Sequence, residues 1–205
     1  LALISENGEM FGEEYTLVAV ADYVLKHTPG NTVSNLSSSR ALKDVTEAYG
    51  QQYHAAAVGE VNVVAEMKRT HSVIGGEGNG GVIYPESHYG RDALVGVGLF
   101  LSHYVAQSKK MTELKSTYPP YFISKNKMTL SPDMDVDKIL EGLKERYATE
   151  KVTDIDGVKI DFAQGWVHLR KSNTEPIIRI YSEAKDEAAA NQLAEEVIAA
   201  AKSTF

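Results

Sequence analysis

The sequence predicts an α/β chain in two parts. A three-layer α/β domain with a mixed, largely parallel sheet comes first. A smaller α+β domain follows, with an antiparallel sheet and flanking helices. Three observations carry this expectation. Up to about residue 117, short β-like runs alternate with helical stripes across short connections, the pattern of strand–helix units. At Thr117-Tyr118-Pro119-Pro120 a double proline interrupts the alternation; it cannot continue a helix and suits a boundary. Beyond it, β-like runs crowd together with helical stripes beside them, which favours antiparallel pairing.

Leu1–Ser5 reads as a short β-run, and Glu6-Asn7-Gly8-Glu9 as a tight hairpin turn in which Asn-Gly supplies the left-handed positions. Glu13–Lys26 places Leu17, Val18, Ala21, Val24 and Leu25 on one helical stripe, which His27-Thr28-Pro29-Gly30 ends. Thr32–Leu36 reads as a strand. Ser39 caps a second helix and Gly50 ends it. Gln52–Val58 is a strand, Glu60–Arg69 a helix, and Ser72–Gly75 a short strand entering a glycine-rich loop. Val82–Tyr84 is a further short strand and Asp92–Gln107 a long apolar helix. After the prolines come a strand (Tyr121–Lys127) and a helix (Asp135–Tyr147). Strands at Val158–Phe162, Trp166–Lys171 and Ile177–Ser182 follow, then a helix at Asp186–Lys202. Asp156-Gly157 and Gln164-Gly165 read as hairpin turns.

The chain has 205 residues, 43% of them hydrophobic and 24% charged, as in ordinary globular domains. A net charge of -7 argues against a general nucleic-acid binder, yet a local cluster of donors can still hold an anion. No cysteine is present, which removes disulfides, thiolate metal sites and a cysteine nucleophile and fits a reducing cytoplasm. No apolar run is long enough to cross a bilayer, and no signal-peptide pattern opens the chain. The abrupt start at Leu1, within a β-like run, predicts a piece of a longer protein, cut by design or by proteolysis.

Two segments carry recognisable chemistry. Gly75-Gly76-Glu77-Gly78-Asn79-Gly80-Gly81 holds five glycines in seven positions, so its backbone can approach a ligand closely. Glu77 and Asn79, two apart, suit adjacent sugar hydroxyls: a carboxylate accepts, and an amide both donates and accepts. A plain flexible connection explains the composition about as well. The β-like segment that follows speaks against a dinucleotide fingerprint. Arg170-Lys171-Ser172-Asn173-Thr174-Glu175-Pro176 lies between two β-like runs. Its short polar side chains and turn N–H groups can form an anion nest, with Arg170 adding a charge-assisted contact. A hydrogen-bonded hairpin turn is the competing explanation, favoured on chemistry alone. Ser37-Ser38-Ser39 has no paired base and reads as a turn. The six histidines show no metal-ligand spacing. Asp133, Asp135 and Asp137 lack the rest of a calcium loop and read as helix capping.

Taken together, in this order and about ninety residues apart, the two segments resemble the α-D-phosphohexomutase superfamily. The segment Arg170–Pro176, followed by Arg179 and Glu183, is similar to that family's C-terminal phosphate-binding signature. Gly76-Glu77-Gly78-Asn79-Gly80 is similar to its sugar-binding loop, and Val58-Gly59 to the turn before it. Leu1-Ala2-Leu3-Ile4 resembles the strand after its aspartate-rich metal loop. Tyr89-Gly90-Arg91-Asp92-Ala93-Leu94 is nearest to phosphoglucosamine mutases and phosphomannomutase-like relatives.

The resemblance implies a larger, four-domain enzyme interconverting hexose 6-phosphate and hexose 1-phosphate. A phosphoserine and a Mg2+ ion would both lie outside this chain, and a hexose bisphosphate would turn over in the site. Residues 1–10 would end the preceding metal-loop domain, 11–117 would form the third, sugar-binding domain, and 118–205 the fourth, phosphate-binding domain. Glu77 and Asn79 would hold sugar hydroxyls. Arg170, Ser172, Asn173 and Thr174 would hold the phosphate not being transferred. The implied partners are hexose phosphates and the missing N-terminal domains, with no nucleic acid and no membrane, in the cytoplasm. By itself the chain would have no catalytic residue and no activity. Ala57 departs from the family, where many members carry lysine, so the choice of hexose stays open. The alternative is a stand-alone phosphosugar-binding module.

Overall fold

The computed structural model describes residues 1–131, 134–172 and 175–203, and the chain divides into two units, Leu1–Pro120 and Tyr121–Phe205. The sheet of the first unit contains β1 (Thr32–Asn35), β2 (Tyr53–Ala56), β3 (Ile74–Glu77) and β4 (Gly81–Ile83), in the order β2-β1-β3-β4. Central β1 runs parallel to β2 and β3, and β4 returns antiparallel to β3. Its helices are α1 (Glu13–His27), α2 (Ala41–Ala48), α3 (Glu60–Thr70), α4 (Ala93–Gln107) and the short α5 (Met111–Lys115).

Successive strand residues face opposite sides of a sheet, and this separates the layers. Thr32 Oγ1 lies 2.7 Å from Thr46 Oγ1 of α2, whereas the next residue, Val33, clusters with Val63 and Met67 of α3. A methyl group on Gly75 would meet Met67 of α3 at 2.6 Å, and one on Gly76 would meet Leu17 of α1 at 3.1 Å. Helices α1 and α2 therefore cover one face and α3 the other, giving the three layers that the alternation predicts. The apolar stripe of α1 is buried, with Glu13 and Glu14 in its first turn and Lys26 and His27 in its last, each complementing the helix dipole. Helix α4 starts where the Asp92 carboxylate accepts the N–H groups of Leu94 and Val95 at 2.8 and 3.0 Å.

Three details differ from the sequence reading. The opening strand reduces to one antiparallel bridge, Ile4↔Met10, closed over Gly8 at φ +84, and it packs in the first unit through buried Phe11 on Phe100. Ser39 does not occupy the N-cap of α2. Arg40 does, and the Ser39 hydroxyl accepts the Ala41 N–H at 3.1 Å from outside the helix. The first unit also runs beyond residue 117, because Tyr118 is buried in it. The Tyr118 hydroxyl donates to Asp22 at 3.0 Å and lies 2.8 Å from His103 Nε2, while Tyr15 holds the Pro119 carbonyl at 2.7 Å.

The second unit is a five-stranded antiparallel sheet in the order β5-β9-β8-β7-β6. Its strands are β5 (Phe122–Thr129), β6 (Lys151–Thr153), β7 (Val158–Phe162), β8 (Gly165–Lys171) and β9 (Ile177–Ala184), with helices α6 (Val136–Arg146) and α7 (Glu187–Lys202). Val158, Ile160, Val167, Leu169, Ile178 and Ile180 point from the strands into one core, which Ile139, Leu143, Leu193 and Val197 of the helices complete. Asp135 caps α6 and Asp186 caps α7 through their carboxylates. Of the alternating aspartates, Asp133 lies outside the described residues. The antiparallel sheet with flanking helices is as predicted, but β6, a three-residue edge strand, is an addition.

Candidate functional site

In the first unit, β1 connects through α2 to β2 on one side, and α3 then carries the chain from β2 back across β1 to β3 on its other side, from which the chain continues outward to β4. Open α/β sheets bind ligands at such a switch point, outside the carboxyl ends of the strands. Asn35 ends β1 there and Glu77 ends β3. Glu77 is only 6% exposed, and both of its carboxylate oxygens are held. Oε1 accepts from Asn35 Nδ2 at 3.1 Å, and Oε2 lies 3.3 Å from Arg91 Nη1. The amide oxygen of Asn35 accepts the N–H of Ser37 and the hydroxyl of Ser38, at 3.0 and 3.1 Å. Ser38 Oγ in turn accepts the Gly78 N–H at 2.9 Å. The serine run is thus a turn, as its composition suggests, and it ties the end of β1 to the hairpin after β3.

The glycine-rich segment is that hairpin rather than an open loop. Strand β3 extends through Glu77, and β4 begins at Gly81. A methyl group on Gly76 would lie 1.9 Å from the Gly81 carbonyl oxygen. One on Gly78 would lie 1.8 Å from a carboxylate oxygen of Glu14, whose other oxygen accepts the Ser39 N–H at 2.7 Å. Asn79 is exposed in the turn, and its Oδ1 accepts the Gly81 N–H at 3.1 Å. Beside the turn is a cavity of about 390 Å³ lined by Glu60, Asn79, Gly81, Arg91 and Asp92, among others. The two side chains singled out from the sequence therefore differ in setting: Glu77 is fixed at the strand end, whereas Asn79 stands at the cavity rim.

In the second unit, β8 ends at Lys171 and β9 starts at Ile177, and the Ser172 N–H closes the ladder on the Ile177 carbonyl at 3.0 Å. That N–H is therefore not a donor for an anion. Ser172 is buried, and Asn173 and Thr174 lie outside the described residues. Arg170 stands directly opposite Arg179 in the ladder, and Arg179 opposite Lys127 of β5. Three cations thus share one face in one row, an arrangement that is unfavourable unless an anion lies among them. Arg179 is paired with Glu175 at 3.0 Å, but no described residue pairs with the buried Nε of Arg170. The next row carries Lys125, Tyr181, His168 and Lys159. An acidic chain thus concentrates positive charge beside the Arg170 segment. Gly157, at φ +71, lets the β6–β7 turn lie against Arg170, where a methyl group would meet the Leu169 carbonyl oxygen at 2.1 Å.

Comparison with known proteins decides the family. The sequence model of the phosphoglucomutase/phosphomannomutase α/β/α domain III matches residues 12–121, and that of the C-terminal domain matches residues 125–200. The chain belongs to the phosphoglucomutase/phosphomannomutase family. Among curated relatives, the phosphoglucomutase/phosphomannomutase of Thermococcus kodakarensis is 36% identical over 94% of this chain and 42% of its own length. The phosphoglucosamine/phosphogalactosamine mutase of Sulfurisphaera tokodaii is 36% identical over 80% of this chain and 37% of its own length. The chain therefore spans less than half of the curated relatives it matches. A phosphoglucomutase/phosphomannomutase family protein from Burkholderia thailandensis shares the fold at a TM-score of 0.82, with 22% identity over 99% of this chain and 44% of that one. Aspergillus fumigatus N-acetylphosphoglucosamine mutase, solved with GlcNAc-6P and magnesium, shares it at 0.64, with 13% identity over 97% of this chain and 49% of that one.

Within this family frame, several residues of the site escape a reading by sequence. Asn35, Ser38 and Glu14 reach the hairpin only through the fold, and Arg91 is 14 residues downstream of Glu77 with no motif joining them. Among the described residues, no three His, Asp or Glu side chains converge as a metal site would. No helix among them is long and apolar enough to cross a membrane.

Proposed function

We propose that this chain is the C-terminal half of a cytoplasmic phosphohexomutase that interconverts hexose 6-phosphate and hexose 1-phosphate through a bisphosphate. Glucosamine and mannose phosphates are the favoured substrates, in keeping with the relatives. In this reading, residues 1–10 follow a preceding metal-loop domain, the unit ending at Pro120 holds the sugar and the unit from Tyr121 the phosphate. Glu77 and Asn79 accept and donate hydrogen bonds to sugar hydroxyls. Arg170, Ser172, Asn173 and Thr174 bind the phosphate that is not transferred. The nucleophilic serine and the Mg2+ site belong to the half that this chain lacks. The observation that supports the reading most is the buried, doubly held Glu77 at the switch point of a domain III match, followed in a C-terminal-domain match by Arg170, whose buried Nε has no partner among the described residues.

The chain alone should bind hexose phosphates without turning them over, because covalent phosphoryl transfer needs a nucleophile and charge neutralisation. Amide shifts are followed during titration with glucosamine 6-phosphate, mannose 6-phosphate and inorganic phosphate, alongside a mutase assay. Sugar phosphates should move amides of both the Glu77 hairpin and the β8–β9 segment, and inorganic phosphate only the latter. Turnover by the pure chain, or sugar phosphates that move neither region, would refute the reading.

A further inference from the structure

We infer that Arg91 is a positioning residue that presets the carboxylate of Glu77 for the sugar and links it to the cavity at Asn79. The inference rests on the assignment of Glu77 as a sugar ligand. Arg91 is held twice by one side chain: Glu60 accepts its backbone N–H at 3.1 Å and its Nε at 2.6 Å. The backbone N–H of Arg91, followed by its side chain, holds the Glu60 carboxyl below the usual carboxylate range. With Nε committed, the remaining end of the guanidinium reaches Glu77 Oε2 at 3.3 Å. Asn35 holds the other oxygen, so a carboxylate that would otherwise sample several rotamers is fixed by an amide on one side and a cation on the other.

The path of Arg91 is built into the backbone. Arg91 bridges to Ile83 at the end of β4, and the Asp92 N–H bonds to the Val82 carbonyl at 2.9 Å, which fixes where the side chain leaves. It then crosses Gly81, where a methyl group would stand 2.7 Å from Arg91 Cδ. One glycine of the rich segment thus makes room for an arginine rather than for a ligand. Arg91 also lines the cavity with Asn79, so one side chain both reaches the fixed carboxylate and borders the space beside the amide. A pair serving stability alone would need only Glu60. The added contact with a nearly buried carboxylate at the switch point is what a preorganised binding site requires.

The test uses the whole chain and glucosamine 6-phosphate, followed by amide shifts, with inorganic phosphate binding and melting temperature measured in parallel. Arg91→Met should weaken glucosamine 6-phosphate binding about tenfold, the loss of one charged hydrogen bond. Inorganic phosphate binding should be unchanged, and Arg91→Lys should recover part of the loss. Glu60→Gln should weaken binding severalfold by releasing Arg91, which keeps the test open if Arg91→Met folds poorly. Arg91→Met should cost nothing further in a Glu77→Gln background. If Glu77→Gln abolishes binding while Arg91→Met and Glu60→Gln bind as the natural chain does, Arg91 is structural only and the inference fails. If Glu77→Gln binds as the natural chain does, the sugar role of Glu77 fails first, and the inference with it.

Discussion

Lowering the pH from 7 to 4 should remove about 3 kcal/mol of stability from the second unit through His168 alone. Burial pushes the His168 imidazole down to about 4 from its ordinary 6.5, and the nearby positive charges of Lys159 and Arg170 act in the same direction. Its Nε2 lies 2.7 Å from the Asp156 carbonyl oxygen, which can only accept, so the neutral ring carries its proton there. Above pH 6.5 the ring is neutral in both folded and unfolded chains, and the stability of the neutral, buried form is fully present. As the pH falls from 6.5 towards 4, the unfolded chain takes up a proton that the folded chain refuses, and stability is lost. Denaturant unfolding of the natural chain and of His168→Gln at several pH values separates this from carboxylate titration, which both share. Glutamine can keep a donor for Asp156 but does not titrate. The stability gap between the two proteins should change by about 3 kcal/mol in favour of the variant between pH 7 and pH 4. Parallel pH profiles would show that His168 does not carry the effect.

The same residue shows what the sequence could and could not reveal. The strand holding His168 is plain from its β-branched and aromatic residues, but the burial of His168 between Lys159 and Tyr181 exists only once β7, β8 and β9 are in register. Elements with a strong period or a good cap, such as α1, α4 and α7, were legible because one face carries the signal. Strand β6 was not: its residues are at least partly exposed, and three positions are too few for a pattern. The glycine-rich segment misled in a particular way. Glycine disfavours strands, so composition spoke for a loop, while the ladder to β1 and the close approach of Met67, Leu17 and Glu14 made a hairpin instead. Glu77 could be singled out because few residues in that segment carry chemistry. Its partners Asn35 and Arg91 could not, because a hydrogen bond between distant residues leaves no local trace.

Replacing Arg170 with alanine should weaken phosphate binding by about 10- to 150-fold, the range for losing a hydrogen bond to a charged group, about 1.5–3 kcal/mol. The guanidinium has a buried Nε without a partner among the described residues, and it faces Arg179 across the ladder. Both features are costly in an empty site, and an anion relieves both. Removing the guanidinium should therefore leave folding stability within about 0.5 kcal/mol, since lost packing is offset by relief of repulsion. Arg179→Ala should have the smaller effect on phosphate, because Glu175 already engages that guanidinium at 3.0 Å. The ion pair is partly exposed and contributes little to stability by itself. The comparison is a phosphate titration of the natural chain and both variants, followed by amide shifts in β8 and β9. Amides that stay still in the natural chain at tens of millimolar phosphate would return the segment to a hydrogen-bonded turn. Equal losses in the two variants would mean that general positive charge, rather than the guanidinium of Arg170 in particular, attracts the anion.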